Sequence, residues 1–185
     1  MEDPIYISGF ITDVGIDQLL RDIAWVRVTE TRQEAFMSDP IMSYTYGSGL
    51  GERTYTSTLY EEPVKEIQDR VNTFLESEFG WGGLNGCFLN RYDDDRQHLG
   101  WHADDFEGMD HSQPIAVVSF GQAREIWWRP FGFKGKIPQE QRQLLENGSL
   151  FIMRPGMQHT HEHRIPKGGR AMTHRVSLTY RRFLG

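Results

Sequence analysis

From Leu84 onward the chain is cut into short apolar segments by turns, the texture of short strands. The segments are Cys87–Tyr92, Leu99–Ala103, Ile115–Phe120, Glu125–Arg129, Ser149–Met153, His159–Ile165 and Arg175–Arg182. Short strands at near-regular spacing predict a β-sandwich or jelly roll. One helix is expected among them, with Pro138 in its first turn, Leu144 and Leu145 on its face and Asn147-Gly148 as its stop. The preceding residues are mixed. Thr12-Asp13 before Val14–Ile23 reads as a short capped helix with Ile16, Leu19, Leu20 and Ile23 at helical spacing. Residues 43–60 alternate Tyr and Thr around a glycine-rich turn and predict a hairpin or lid. Pro63 then opens an amphipathic helix with Val64, Ile67, Val71, Phe74, Leu75 and Phe79 on one stripe, closed by Gly80, Gly82 and Gly83. The expected class is mainly β with flanking helices (α+β), a helix packing outside one sheet.

Composition narrows the setting. With 185 residues and no linker, one domain is expected. The 11 Phe, 7 Tyr and 5 Trp supply a core and argue against disorder. No apolar run nears the ~20 residues of a membrane span. The acidic start lacks the apolar stretch of a secretory signal, and the lone Cys87 suits a reducing compartment. An intracellular protein, cytoplasmic or nuclear, and a monomer is expected. The net charge of −6 is uneven: residues 1–100 carry 18 Asp/Glu against 8 Lys/Arg, and the rest 8 against 12. Generic nucleic-acid binding is not what an acidic chain predicts. A local basic surface remains open to Arg164, Lys167, Arg170, Arg175, Arg181 and Arg182.

The histidines carry the chemistry. His102 and Asp104 are two apart in a predicted strand, so they leave the same face. They supply two ligands of a 2-His-1-carboxylate site, which suits non-haem Fe(II) and leaves positions open. The third ligand must come from far along the chain, and His159, His161 and His163 alternate on one predicted strand. Arg175 and Arg181 are six apart, hence on one strand face with Ser177 and Thr179. Two inward guanidinium groups require anions, and a dicarboxylate satisfies both. Asn90 and Tyr92 offer hydrogen bonds from one face of another strand.

Taken together, Asn90-Arg91-Tyr92, Gly100 to Asp105, Pro114 to Gly121, Gly148 to Met153, His163-Arg164-Ile165-Pro166 and Arg175 to Arg181 resemble the AlkB family of Fe(II)- and 2-oxoglutarate-dependent dioxygenases. Four motifs, Asn-x-Tyr, His-x-Asp, His-x-Ile-Pro and Arg-x-x-Leu-Thr-x-Arg-like, stand in the family's order across about residues 84–182. The resemblance implies a double-stranded β-helix (jelly roll) over residues 84–182, with a helical and hairpin extension over 1–83 that includes a nucleotide lid. It implies Fe(II) held by His102, Asp104 and His163, and 2-oxoglutarate held by Asn90, Tyr92, Arg175, Thr179 and Arg181. Arg175 is expected near the C1 carboxylate and Arg181 at the distal one. O₂ is the oxidant, and succinate, CO₂ and formaldehyde are the products. The substrate implied is alkylated DNA or RNA carrying 1-methyladenine or 3-methylcytosine, contacted by Tyr55 and Asp105, with Tyr44 and Tyr46 as stacking groups. Trp101, odd relative to His102, is expected to point away. Two residues depart from the pattern: Ser177 stands where relatives commonly have Asn, and Phe106 where the DNA-repair members commonly have an acid. A 2-oxoglutarate-dependent hydroxylase of a protein or small molecule is the alternative, and a non-catalytic β-sandwich module ranks behind it.

Overall fold

The computed structural model describes residues 3–47, 49, 52–132, 140–169 and 172–184. In chain order the elements are β1 (Ile5–Ile7), α1 (Ile16–Asp22), β2 (Val26–Thr29), β3 (Arg32–Ser38), β4 (Ser43–Tyr46), β5 (Arg53–Thr56) and α2 (Val64–Phe79). They continue with β6 (Gly86–Tyr92), β7 (Leu99–His102), β8 (Ile115–Gly121), β9 (Arg124–Pro130), β10 (Gln141–Leu145), β11 (Ser149–Met153), β12 (His161–Ile165) and β13 (Arg175–Arg181). A seven-stranded sheet runs β1-β11-β8-β13-β6-β3-β2, and a four-stranded sheet runs β10-β9-β12-β7. All strand pairs within both are antiparallel. The arrangement is a jelly roll.

Strand alternation sorts β13 between two cores. Val176, Leu178 and Tyr180 face outward into a cluster with Cys87, Leu89 and Val118, covered by Val64, Ile67, Val71 and Leu75 of α2. Those four helix residues are fully buried, each worth about 1.5–3 kcal/mol of transfer free energy. The Tyr180 hydroxyl donates to the Val64 carbonyl at 2.8 Å and ties helix to sheet. The opposite face of β13 looks across to the smaller sheet, where Ile126, Trp128 and Ile165 pack with Phe88, Val117 and Phe151. The functional residues lie between the sheets.

Three expectations are corrected. The helix expected over 138–147 is a strand where it is described: β10 pairs with β9 from Gln141↔Trp128 to Leu145↔Arg124, and Pro138 lies outside the described residues. Leu145 is buried but Leu144 is 47% exposed, so the two leucines make no helical face. Asn147-Gly148 is the turn between β10 and β11; Gly148 has φ +72°, and a Cβ there would sit 2.0 Å from the Ile11 carbonyl. The first helix starts later than expected, with Gly15 as its cap, because Asp13 is taken by Arg70 at 2.6 Å. Residue 84 is no seam: β1, β2 and β3 all belong to the larger sheet. The β4–β5 hairpin forms where the Tyr/Thr alternation predicts it.

Candidate functional site

Antiparallel register places His163 of β12 directly opposite His102 of β7. Their rings are 4.2 Å apart. Asp104, two residues past His102 and beyond the end of its strand, turns back to 3.5 Å from His102 Nε2 and 4.0 Å from His163 Nε2. The candidate ligand atoms of the three residues all lie within 4.8 Å of one another. His102 Nδ1 donates to the Gly100 carbonyl at 2.9 Å, which leaves Nε2 free as a ligand. Burial holds the His163 imidazole neutral, its pKa pushed down to about 3, the form that binds a metal. Burial alone would raise Asp104, but the Arg181 guanidinium, together with the hydrogen bond from His102, outweighs it and holds the carboxyl well below its usual range. His161 instead pairs with Pro130 and contacts Thr160, and His159 ends a short 3₁₀ turn (Met157–His159) rather than continuing the strand.

Beside these three residues a cavity with about 360 Å³ of empty space runs between the sheets. Arg175, Ser177, Thr179 and Arg181 line it from β13, and Asn90 and Tyr92 from β6. Arg175 is completely buried, yet only its Nη2 is engaged, donating to Ser119 Oγ at 3.0 Å. Its Nε and Nη1, and the Tyr92 hydroxyl, have no hydrogen-bond partner. Burial pulls the Arg175 pKa down to about 10, so the guanidinium stays charged at neutral pH. Arg181 sits at the other end. Its Nη2 and Nε donate to Asp104 Oδ2 at 2.7 and 3.2 Å. Arg181 is therefore the arginine bonded into the His-Asp-His group, where the resemblance implied Arg175 at the near end. An even spacing fixes the shared face of a strand but not which end abuts a residue from another element.

A second, more open cavity of about 520 Å³ meets the first at Asn90, Leu99, His102, Asp104 and Arg181. Tyr44, Tyr46, Tyr55, Phe88 and Phe106 wall it. Tyr44 stacks on Phe106 at 4.3 Å and on Tyr55 at 5.3 Å. The Tyr46 hydroxyl donates to the Ala103 carbonyl at 2.9 Å and holds the hairpin against the site. Arg32 and Arg53 pair with the buried Glu34, and Arg32 Nε also donates to Asn90 Oδ1 at 2.8 Å.

Residues 6–181 match the model of the 2OG-Fe(II) oxygenase superfamily. The chain belongs to that superfamily. It is 33% identical over 157 residues to mouse "DNA oxidative demethylase ALKBH2", covering 83% of this chain and 62% of that protein. It is 27% identical over 196 residues to human "Alpha-ketoglutarate-dependent dioxygenase alkB homolog 3", covering 96% and 64%. The chain thus spans a little under two thirds of these relatives. A solved structure titled "The structure of OsALKBH1" shares the fold, with a TM-score of 0.62, 16% identity and 97% of each chain covered. The AlkB resemblance carried by the motifs is borne out.

The residues of this 2OG-Fe(II) oxygenase fit the groups its family uses, Fe(II), 2-oxoglutarate and O₂. Two imidazoles and one carboxylate form the donor set of a three-ligand iron site with open positions. The unpaired donors of Arg175 and Tyr92 are what a buried carboxylate of the co-substrate would satisfy, since a buried guanidinium without an anion is costly. Asp105 does not join them: it is half-exposed and turns to His111, at 3.2 Å, away from the aromatic cavity. Phe106 takes the place in the wall. Trp101 faces outward between Arg129 and Arg164, whose guanidinium carbons lie 4.0 and 4.6 Å from its ring, as its parity predicts. Ser119, Arg32 and Gln158 were not anticipated. Ser119 was within reach of strand parity, because it lies opposite Ser177 in register.

Proposed function

We propose that this chain is an Fe(II)- and 2-oxoglutarate-dependent dioxygenase that removes N-alkyl groups from damaged nucleic-acid bases of the 1-methyladenine and 3-methylcytosine type. The observation that carries the reading is the meeting of two cavities at His102 and Asp104, one ending in unpaired guanidinium donors and the other walled by aromatic rings.

In this reading His102, Asp104 and His163 hold the iron. Iron, 2-oxoglutarate and O₂ supply the oxidation that hydroxylates the N-methyl carbon, and the resulting hemiaminal loses formaldehyde. The chain's own residues position the reactants. Arg175 pairs the distal carboxylate of 2-oxoglutarate deep between the sheets, with Tyr92 adding a hydrogen bond. Arg181 fixes the Asp104 carboxylate through two hydrogen bonds to one oxygen, and its Nη1 remains to be satisfied at the near end. Asn90, held by Arg32, and Thr179 line the space between. Tyr44, Tyr46 and Tyr55 give the base a π-rich slot. The methylated base is cationic, and aromatic faces attract cations. Among the described residues Asp104 is the one carboxylate lining the aromatic cavity, beside the guanidinium groups of Arg32 and Arg181, and the rings supply its π faces. A base in a duplex must leave its stack to reach this depth.

All of these groups come from one chain, and action as a monomer is part of the reading. No described helix is long and apolar enough to cross a membrane. Cys87 is buried and unpaired, which accords with an intracellular setting. The test is mass spectrometry of methylated single- and double-stranded DNA and RNA incubated with iron, ascorbate and 2-oxoglutarate at low salt. Loss of methyl with formaldehyde release is expected from at least one of them. Succinate without methyl loss from any of them would shift the reading to hydroxylation of a protein or small molecule.

A further inference from the structure

The carboxylate that turns away from the aromatic cavity has company. Asp105 Oδ1 lies 3.2 Å from His111 Nε2, and Asp105 Oδ2 lies 3.9 Å from His159 Nδ1. The two imidazole rings are 4.0 Å apart, and one ligand atom from each of the three residues falls within a 4.8 Å group. These residues come from three separate stretches of chain, and backbone contacts tie the stretches together. The Gly156 N–H donates to the His111 carbonyl at 3.1 Å, and the His159 N–H to the Gly156 carbonyl at 3.2 Å. Gln158 Oε1 accepts from the Asp104 N–H at 2.9 Å, which anchors the start of the Asp105 loop to the turn that bears His159.

We propose that Asp105, His111 and His159 form a second metal site, separate from the His102–Asp104–His163 group, that takes Zn²⁺. Two imidazoles and one carboxylate are a zinc donor set, and a site open to solvent supplies water as the fourth ligand. Tetrahedral zinc at about 2.0–2.1 Å from its ligands sets them about 3.3 Å apart. The Asp105–His111 pair already meets that spacing. His159 has a half-exposed side chain, free to close the remaining distance by rotation. Consecutive carboxylates thus serve two centres: Asp104 points between the sheets and Asp105 to the surface. Zinc at the outer site pins the loop from Asp105 to His111, and Phe106 on that loop walls the aromatic cavity.

Equilibrium dialysis of the metal-free protein against Zn²⁺, with bound metal counted by plasma mass spectrometry, tests the proposal. The wild type should hold two Zn²⁺ per chain, His159→Ala and His111→Ala one each, His163→Ala one, and the His159→Ala/His163→Ala double variant none. Circular dichroism checks that each variant is folded. If His163→Ala does not fold, wild type against His159→Ala still decides, because the half-exposed His159 is no part of the core. Equal stoichiometry in those two proteins overturns the second site.

Discussion

Replacing Arg175 with Met should raise stability and abolish co-substrate binding together, a pairing that few substitutions share. The side chain is fully buried and makes one hydrogen bond, to Ser119, with Nε and Nη1 unpaired. Each unmet buried donor costs about 1–3 kcal/mol, and the single bond returns about 0.5–1.5 kcal/mol. Methionine fills a similar volume with a flexible apolar chain. The metal-free variant should therefore gain about 2 kcal/mol, which for a chain of this size raises the melting temperature by about 4–8 °C. The opposite sign applies to 2-oxoglutarate. Its distal carboxylate would be buried without a cation, and removing one partner of a buried pair costs about 3–5 kcal/mol. That loss corresponds to about 10²–10³-fold or more in affinity. Differential scanning calorimetry without ligand, and isothermal titration of 2-oxoglutarate into Mn²⁺-loaded protein, read the two effects separately. A variant that melts several degrees lower, or that binds 2-oxoglutarate within threefold of wild type, would refute the claim that Arg175 waits for a ligand carboxylate.

His163→Ala should eliminate 2-oxoglutarate turnover, measured as succinate formation, while His159→Ala largely spares it; the reverse result would move the iron ligand to the other histidine. Arg181→Lys keeps the charge but loses the fork that spans Asp104 Oδ2, so iron retention under chelator challenge and 2-oxoglutarate affinity should both fall appreciably. Tyr46→Phe removes the hydroxyl that donates to Ala103, about 0.5–1.5 kcal/mol, and should raise KM for a methylated oligonucleotide up to about tenfold with the 2-oxoglutarate Kd unchanged. Leu75→Ala, at a fully buried position of α2, should cost about 2–5 kcal/mol in chemical denaturation without altering metal stoichiometry.

Period-two alternation made much of this legible before any coordinates. Arg175, Ser177, Thr179 and Arg181 share a face because four residues of one strand must, and β6 puts Asn90 and Tyr92 on the matching face. The seven strands expected after residue 84 all form, each within two residues of its expected ends; the expected helix is the strand β10, because an Asn-Gly stop fits a strand followed by a tight turn equally well. β1, β2 and β3 were missed for a different reason. β1 pairs with β11, β3 with β6 and β2 with β3, and the three or four residues of β1 and β2 carry too little periodicity to show a strand alone.

The tripeptide Asp104-Asp105-Phe106 marks where local inference stops. All three residues lie past the end of β7, where strand alternation no longer fixes direction: Asp104 and Phe106 line the aromatic cavity, and Asp105 turns to His111 instead. The substitution of Phe for an acid at 106 then has a direct physical reading. A carboxylate there would lie among Tyr44, Phe183 and Met109, in the cluster that closes the cavity, whereas phenylalanine stacks on Tyr44 at 4.3 Å. On the proposed demethylase reading, attraction for a cationic base would come from ring faces and Asp104, against the like charge of Arg32 and Arg181 in the same lining, rather than from a second carboxylate. On that reading, selectivity for the charged, methylated base over the neutral product would depend less on ionic strength than phosphate binding does, because a cation held on desolvated rings is screened far less than a surface contact.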